Sequence, residues 1–185
     1  MKIQSTRFGT IEVREDRILR LKGGILGFNQ NEKYALLDDQ EDLNHPFRWL
    51  ISIDDPEIGF LVTDPGIFFK DYAFDLAEAD KAELAIISAE DVIVLTLLTV
   101  PKDPKQITAN LAGPIVINAN TLQGKQLVLY STTYATKHFI FIQTKTEELN
   151  AAANAAVTQN FAIATEAVAA EVARAVNHTE VKTTL

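Results

Sequence analysis

Histidine, serine, carboxylate and glycine patterns are where chemistry would first show in this chain. Three histidines, His45, His138 and His178, stand far apart in 185 residues that contain no cysteine. None has a histidine or carboxylate three or four positions on, the spacing at which one helix face offers two ligands to a metal. The absence of cysteine removes thiolate nucleophiles, disulfide frameworks, iron–sulfur clusters and thiolate zinc sites together. Ser5, Ser52, Ser88 and Ser131 have no nearby histidine to serve as base, and no G-x-S-x-G turn is present. The run Gly23-Gly24-Ile25-Leu26-Gly27 does not lead into a helix and has no GKS or GKT ending, so it reads as backbone geometry and not as a phosphate cradle. Asp38-Asp39 and Asp54-Asp55 sit in turn contexts, where capping and solvation account for them. The sequence therefore predicts no catalytic residue, no metal ligand and no cofactor.

Charge is the next signal, and it is uneven. The net charge is -8, but residues 38–103 hold 16 acidic groups against 4 basic ones. A phosphate backbone would be repelled by that segment, and no Lys/Arg stripe offsets it, so direct nucleic-acid binding is not expected. Two readings of the acidic middle stay open: a face that steers a basic protein partner, or a dispersed solvated surface. The N-terminus alternates polar and apolar residues and lacks the apolar stretch of a secretory signal. The longest apolar-rich run, Val92–Val100, is nine residues, about half of a membrane span. A cytoplasmic protein with no membrane contact is the expectation.

Such surface chemistry must be carried by a scaffold, and the scaffold reads as all-β. Short β-branched and aromatic segments recur at Lys2–Arg7, Thr10–Arg14, Arg17–Leu21, Lys33–Leu37, Arg48–Ile53, Gly59–Thr63, Ala85–Ser88, Val92–Val100, Pro114–Asn118 and Gln126–Ser131. Gly, Pro, Asn and Asp punctuate them, which predicts a compact β-barrel-like domain of about ten short strands. One short helix is expected at Glu78–Leu84. Phe47 and Trp49 flank Arg48 on a strand and should share a face, read as the core. Composition breaks near Lys145, dividing a domain at 1–144 from an extension at 145–185. Residues 151–175 hold 12 alanines and no Gly or Pro, which predicts an Ala-rich C-terminal α-helix of about six turns. Val157, Phe161, Val168 and Val172 fall on one face of it. That stripe packs on the chain's own barrel, frays in solvent, docks on a partner groove or self-associates; the sequence leaves these open.

Several strings inside the β region carry a resemblance. Ile18–Phe28, ILRLKGGILGF, resembles the I-x-x-F-x-x-G-I-x-G-F stretch of the FliW family of flagellar assembly factors, with Leu21 where Phe is usual. PFRWLIS at 46–52 is similar to its PFxWLQS, with Ile51 for Gln. GFLVTDP at 59–65 and Phe69-Lys70-Asp71-Tyr72 resemble its A-F-V-V-T-D-P and F-x-D-Y elements. TANLAGPIVIN at 108–118, followed by Gly124-Lys125-Gln126, resembles its T-x-N-L-x-x-P-I-x-I-N and GKQ signature. YATKHFI at 134–140 departs from the usual YxxRHPI by Lys137 and Phe139.

The resemblance implies a cytoplasmic, non-enzymatic protein that exchanges partners: flagellin, and the translational regulator CsrA, a small RNA-binding dimer. Flagellin held in the cytoplasm would occupy the protein; once flagellin is secreted, the freed protein would capture CsrA and relieve repression of flagellin translation. The regulator would be antagonised away from its RNA-contacting surface. Asp64, Asp71 and Tyr72 are the partner-contact candidates, with Asn110 and Asn118 beside them. A structural role competes at three of these positions: Asp64-Pro65-Gly66 serves equally as a turn, and the two asparagines bracket a strand whose end groups they could satisfy. Two other functions stay open, a flagellin chaperone without a regulator and a barrel module for a small ligand, which would need a pocket with convergent polar groups.

Overall fold

The computed structural model describes residues 1–37, 46–130 and 133–141. The expected helical extension at 145–185, with Val157, Phe161, Val168 and Val172, lies outside the described residues, as do His45 and His178. Eleven strands are found among the described residues: β1 (Lys2–Ser5), β2 (Gly9–Glu12), β3 (Leu19–Leu21), β4 (Lys33–Leu37), β5 (Phe47–Ser52), β6 (Gly59–Thr63), β7 (Val92–Thr99), β8 (Thr108–Ala109), β9 (Ile115–Asn118), β10 (Gln123–Gln126) and β11 (His138–Phe139). One α-helix, α1 (Glu78–Glu83), precedes β7.

Seven strands close a ring in the order β7-β6-β5-β4-β3-β10-β9 and back to β7. Every pairing in it is antiparallel except β3 with β10. Closure leaves no open sheet edge along the ring. The eight-residue β7 makes it possible, because one edge is shared: Val92–Leu95 pair with β9, while Leu98 and Thr99 pair with β8, which in turn carries β11. The hairpin of β1 and β2 is separate and packs outside the wall.

Alternation along each strand sorts the side chains. Leu19, Leu21, Tyr34, Leu50, Val62, Leu95, Ile115 and Ile117 fill the interior of the ring. Phe47 and Trp49 share a face and pack in the core as expected, joined by Ile51; the core they enter is the layer covering the outside of the ring wall. Phe47 belongs to an aromatic layer with Leu61, Ile107, Ala109, Leu111 and Ile140, and Ile51 meets the hairpin through Ile3, Ile11 and Val13. Strands β3, β10 and β9 approach so closely at Gly124 that a Cβ there would lie 2.8 Å from both Leu21 Cδ2 and the Val116 carbonyl oxygen. This explains the glycine of the GKQ string.

Three local expectations change. Ala85–Ser88 is a loop and not a strand: α1 ends at Glu83 with Leu84 as its cap, and Ala85 adopts a φ of 52° that breaks any extended run. The strand expected at Gln126–Ser131 lies earlier, at Gln123–Gln126. Beyond it, only Leu127 and Leu129 donate to the Pro114 and Ala112 carbonyls. Two strands of two residues each, β8 and β11, were too short for periodicity to reveal.

Candidate functional site

The loop after β6 is shaped by Asp64. Its Oδ1 accepts the Gly66 amide at 2.8 Å and starts a single 3-10 turn over Pro65–Ile67. The chain then folds back, with the Phe69 amide donating to the Pro65 carbonyl and the Tyr72 amide to the Phe69 carbonyl. This turn lays Phe68 flat against Phe47 of β5, ring centroids 5.7 Å apart, with Phe141 edge-on to Phe68. Tyr72 lies half-buried beside them. Its hydroxyl donates to the Leu111 carbonyl at 2.8 Å, and its ring is 4.7 Å from that of Tyr134. Burial, with the Tyr134 phenol next to it, pushes the Tyr72 hydroxyl far above the ordinary tyrosine range, so it stays a donor.

Residues 134–141 complete this aromatic shelf from the other end of the described chain. The Tyr134 hydroxyl accepts the Ala73 amide at 3.0 Å and faces the Ala73 carbonyl at 3.1 Å, tying two segments sixty residues apart. His138 stands edge-on to both Phe69 and Tyr134, and its Nε2 accepts the Ala135 amide at 2.7 Å. The Ala112 amide donates to the Ala135 carbonyl, and the Ile140 amide to the Ile107 carbonyl. Asn110 enters through its backbone, which donates to Leu97 and accepts the Thr96 hydroxyl at 2.6 Å. Its side-chain oxygen is enclosed with no donor.

Four of the five expected contact residues therefore converge on one side: Asp64, Asp71, Tyr72 and Asn110. Asp64 and Asp71 are exposed there, while Tyr72 and Asn110 are half-buried. Asn118 is corrected. It is 1% exposed, its Nδ2 donates to the carbonyls of Leu84 and Ala85 at 2.9 Å each, and its Oδ1 accepts the Asn120 and Thr121 amides. Both ends of the amide brace backbone, so it has nothing left to offer a partner. Tyr134 and His138 were missed as members of the shelf. Their string was legible, but a single aromatic in a string gives no sign of which distant segment it will meet.

Ser5 Oγ accepts the Arg7 and Phe8 amides, and Ser52 Oγ accepts from Asn31 and Asp55. Among the described residues, no group of three or more His, Asp or Glu could hold a metal ion, and no helix is long and apolar enough to cross a membrane.

The second distinctive side is acidic and centres on α1. Lys125 reaches Asp80 at 2.9 Å and Glu83 at 3.0 Å, and Lys22 bonds the Glu83 carbonyl. The Asp80 and Glu83 carboxylates hold the Lys125 ammonium above its ordinary range. Lys125 and Asp80 are half-buried and Glu83 is exposed, so each pair is still screened by water and worth about 1 kcal/mol.

Residues 2–140 match the family model described as FliW protein. The flagellar assembly factor FliW of Natranaerobius thermophilus is 40% identical over 142 residues, covering 76% of this chain and 93% of that protein. That of Alkaliphilus metalliredigens is 37% identical over 158 residues, covering 84% and 97%. A crystal structure of the flagellar assembly factor FliW superposes with a TM-score of 0.71 at 37% identity, covering 78% of this chain and 99% of that one.

Proposed function

The chain belongs to the FliW family of flagellar assembly factors, and from that premise we propose that it acts in the cytoplasm, without catalysis, by binding flagellin and a CsrA-type regulator in exchange. Family membership over residues 2–140 carries this reading. The shelf and the acidic side agree with it. Asp64 and Asp71 project from a rigid aromatic layer, so a partner meets charge on a preorganised base, which lowers the ordering cost of association. A generally basic regulator would be drawn in by the acidic middle of the chain. Complementary charge would raise its association rate more than its final affinity.

Calorimetry with purified flagellin and with the regulator, singly and then in competition, tests the exchange. Each should bind alone, and prior saturation with flagellin should abolish regulator binding. Simultaneous binding of both would end the exchange model. For the electrostatic part, Asp64→Lys with Asp71→Lys should slow association with the regulator in stopped flow, and rising salt should erase the difference. An association rate indifferent to salt and to both substitutions would remove charge steering from the account.

A further inference from the structure

We propose that the Ala-rich stretch 151–175 docks back on its own barrel, laying Val157, Phe161, Val168 and Val172 across the mouth of the ring that β11 borders. That mouth is apolar. Leu26, Phe28, Val128 and Phe139 are 55%, 40%, 43% and 56% exposed, and the contacts around them turn all four toward it. Large apolar side chains gathered at one end of a fold mark a surface that is covered in use.

The turn after β3 supplies two of them. Its Leu26 amide donates to Gln126 Oε1 at 2.8 Å, and Phe28 stands edge-on to Phe60, which packs against the ring interior. Val128 lies on the chain that prolongs β10. The Leu127 and Leu129 amides donate to the Pro114 and Ala112 carbonyls, continuing the register of β10 on β9, and their side chains join Val116 and Leu84 in the layer outside the ring. Alternation then turns Gln126 and Val128 the other way, toward Leu26. Phe139 comes from β11. It pairs with Thr108 and Thr108 with Thr99, and two residues before Thr99 the Leu97 side chain packs on the ring interior. Directly opposed residues share a face, so Phe139 looks over the mouth while its neighbour Ile140 is buried in the outer aromatic layer.

The occupant follows from where the described chain stops and from what comes next. The Ile140 amide is fixed on the Ile107 carbonyl, so residues 142–185 set out from the rim of this mouth, beside Phe139. From Phe141 to Ala151 an extended chain reaches about 33 Å, enough to place the stretch 151–175 anywhere on this end. As the helix its composition predicts, the stripe from Val157 to Val172 measures about 22 Å. A ring of seven strands about 4.8 Å apart is about 11 Å across, and β8 with β11 adds about 10 Å. The stripe therefore has the length of the surface it would cover, and the alanines beside it let the two backbones come close. This goes beyond the partner exchange proposed above and does not depend on it.

Paramagnetic broadening in the full-length protein tests it. The chain has no cysteine, so a nitroxide on Glu166→Cys, on the helix side away from the stripe, reports from one place. It should broaden the amides of Leu26, Phe28, Val128 and Phe139 several-fold more than those of Asn120 and Thr121, at the other end of β9 and β10. Adding Phe161→Asp and Val168→Asp should remove that contrast and leave the strand resonances where they were. No broadening at the mouth, broadening centred on another face, or a contrast that survives both aspartates would overturn the inference. Equal broadening in nitrogen-15 protein without the nitroxide, mixed with spin-labelled protein of natural abundance, would give the mouth to a second copy and overturn docking within the chain.

Discussion

The aromatic shelf and the loop around Ile87, between α1 and β7, solve opposite problems with the same kinds of group. On the shelf, polar atoms turn inward: the Tyr72 hydroxyl holds the Leu111 carbonyl, the Tyr134 hydroxyl holds Ala73, and His138 Nε2 holds Ala135, while rings stack on rings. In the loop, the polar atoms of Asn118, Asp91 and Asn120 also bind the protein itself, yet their effect is to push an apolar side chain outward. Residues that stand out in a sequence because they are polar inside apolar strings can thus be construction, and the exposed side chain can be a neighbour without any such mark. The charged residues of the shelf segments, Asp64, Lys70, Asp71 and Lys137, are the ones that remain at its surface.

If the shelf is construction, Tyr72 should matter most to stability. Tyr72→Ala removes a half-buried ring packed on Tyr134 and Phe74 and strands the Leu111 carbonyl, and should cost about 3 kcal/mol in urea unfolding. Tyr72→Phe keeps the ring and should lose only about 1 kcal/mol. Near-equal stability of Tyr72→Ala and wild type would mean the shelf is a surface decoration, and the contrast with the loop would fall.

Asn118→Ala tests the other side and should have a smaller effect, about 2 kcal/mol, because it leaves the Leu84 and Ala85 carbonyls without their donor in a buried place. Amide exchange at Ile86, Ile87 and Ser88 should speed up while the barrel strands stay protected. If exchange there is unaltered, the loop is held by its Asp91 end alone.

How much of this contrast was legible follows from the reach of each signal. Period-two alternation gave the co-facial pair Phe47 and Trp49 correctly, but alternation fixes which residues share a face and not which layer the face meets. In a closed ring both faces of β5 are covered, so the pair is core as read, but in a layer outside the ring and not in its interior: Phe47 is buried and stacked on Phe68, and the half-buried Trp49 meets Phe8 edge-on. Ala85–Ser88 read as a strand because isoleucines favour extended structure. The tertiary bond from Asn118, more than thirty residues on, overrode that preference. Asp64-Pro65-Gly66 fits a turn and a contact equally well in the sequence, and Asp64 both forms the turn and remains exposed. The meeting of Tyr72 with Tyr134 had no local signal at all.

A weaker effect is expected from removing residues 145–185, which lie beyond the matched span of 2–140. A protein ending at 144 should unfold cooperatively with a midpoint close to the full chain, because the ring closes through β7 and β9 without the extension. Loss of cooperativity would make the extension part of the core. If the Val157, Phe161, Val168 and Val172 stripe covers a flagellin groove, the shortened protein should bind flagellin more tightly, since an occluded fraction raises the apparent dissociation constant in proportion. Equal affinities would leave the stripe without that role.

The smallest expected effect separates the two regions by charge. Asp91 is held below the ordinary carboxylate range, first by the Ser88 amide and then by the Asn120 side chain. A carboxylate whose folded pKa is depressed contributes stability that is complete above its unfolded pKa, near 4, and disappears as pH falls through the lowered folded value. The Tyr72 to Leu111 bond has no charge to lose in that range, because a tyrosine phenol is neutral throughout it. Lowering the pH from 5 to 3 should therefore loosen the far end of the Ile87 loop, seen as a fall in the protection of the Ser88 amide once its exchange rate is divided into the intrinsic rate, which itself slows over this range. Asp91→Asn should show weaker protection at pH 5 and no further loss on acidification, since its amide cannot titrate. Identical pH profiles for Ser88 in the two proteins would move the support of the loop from Asp91 to Asn118, and the Ile87 loop would then be held on one side only.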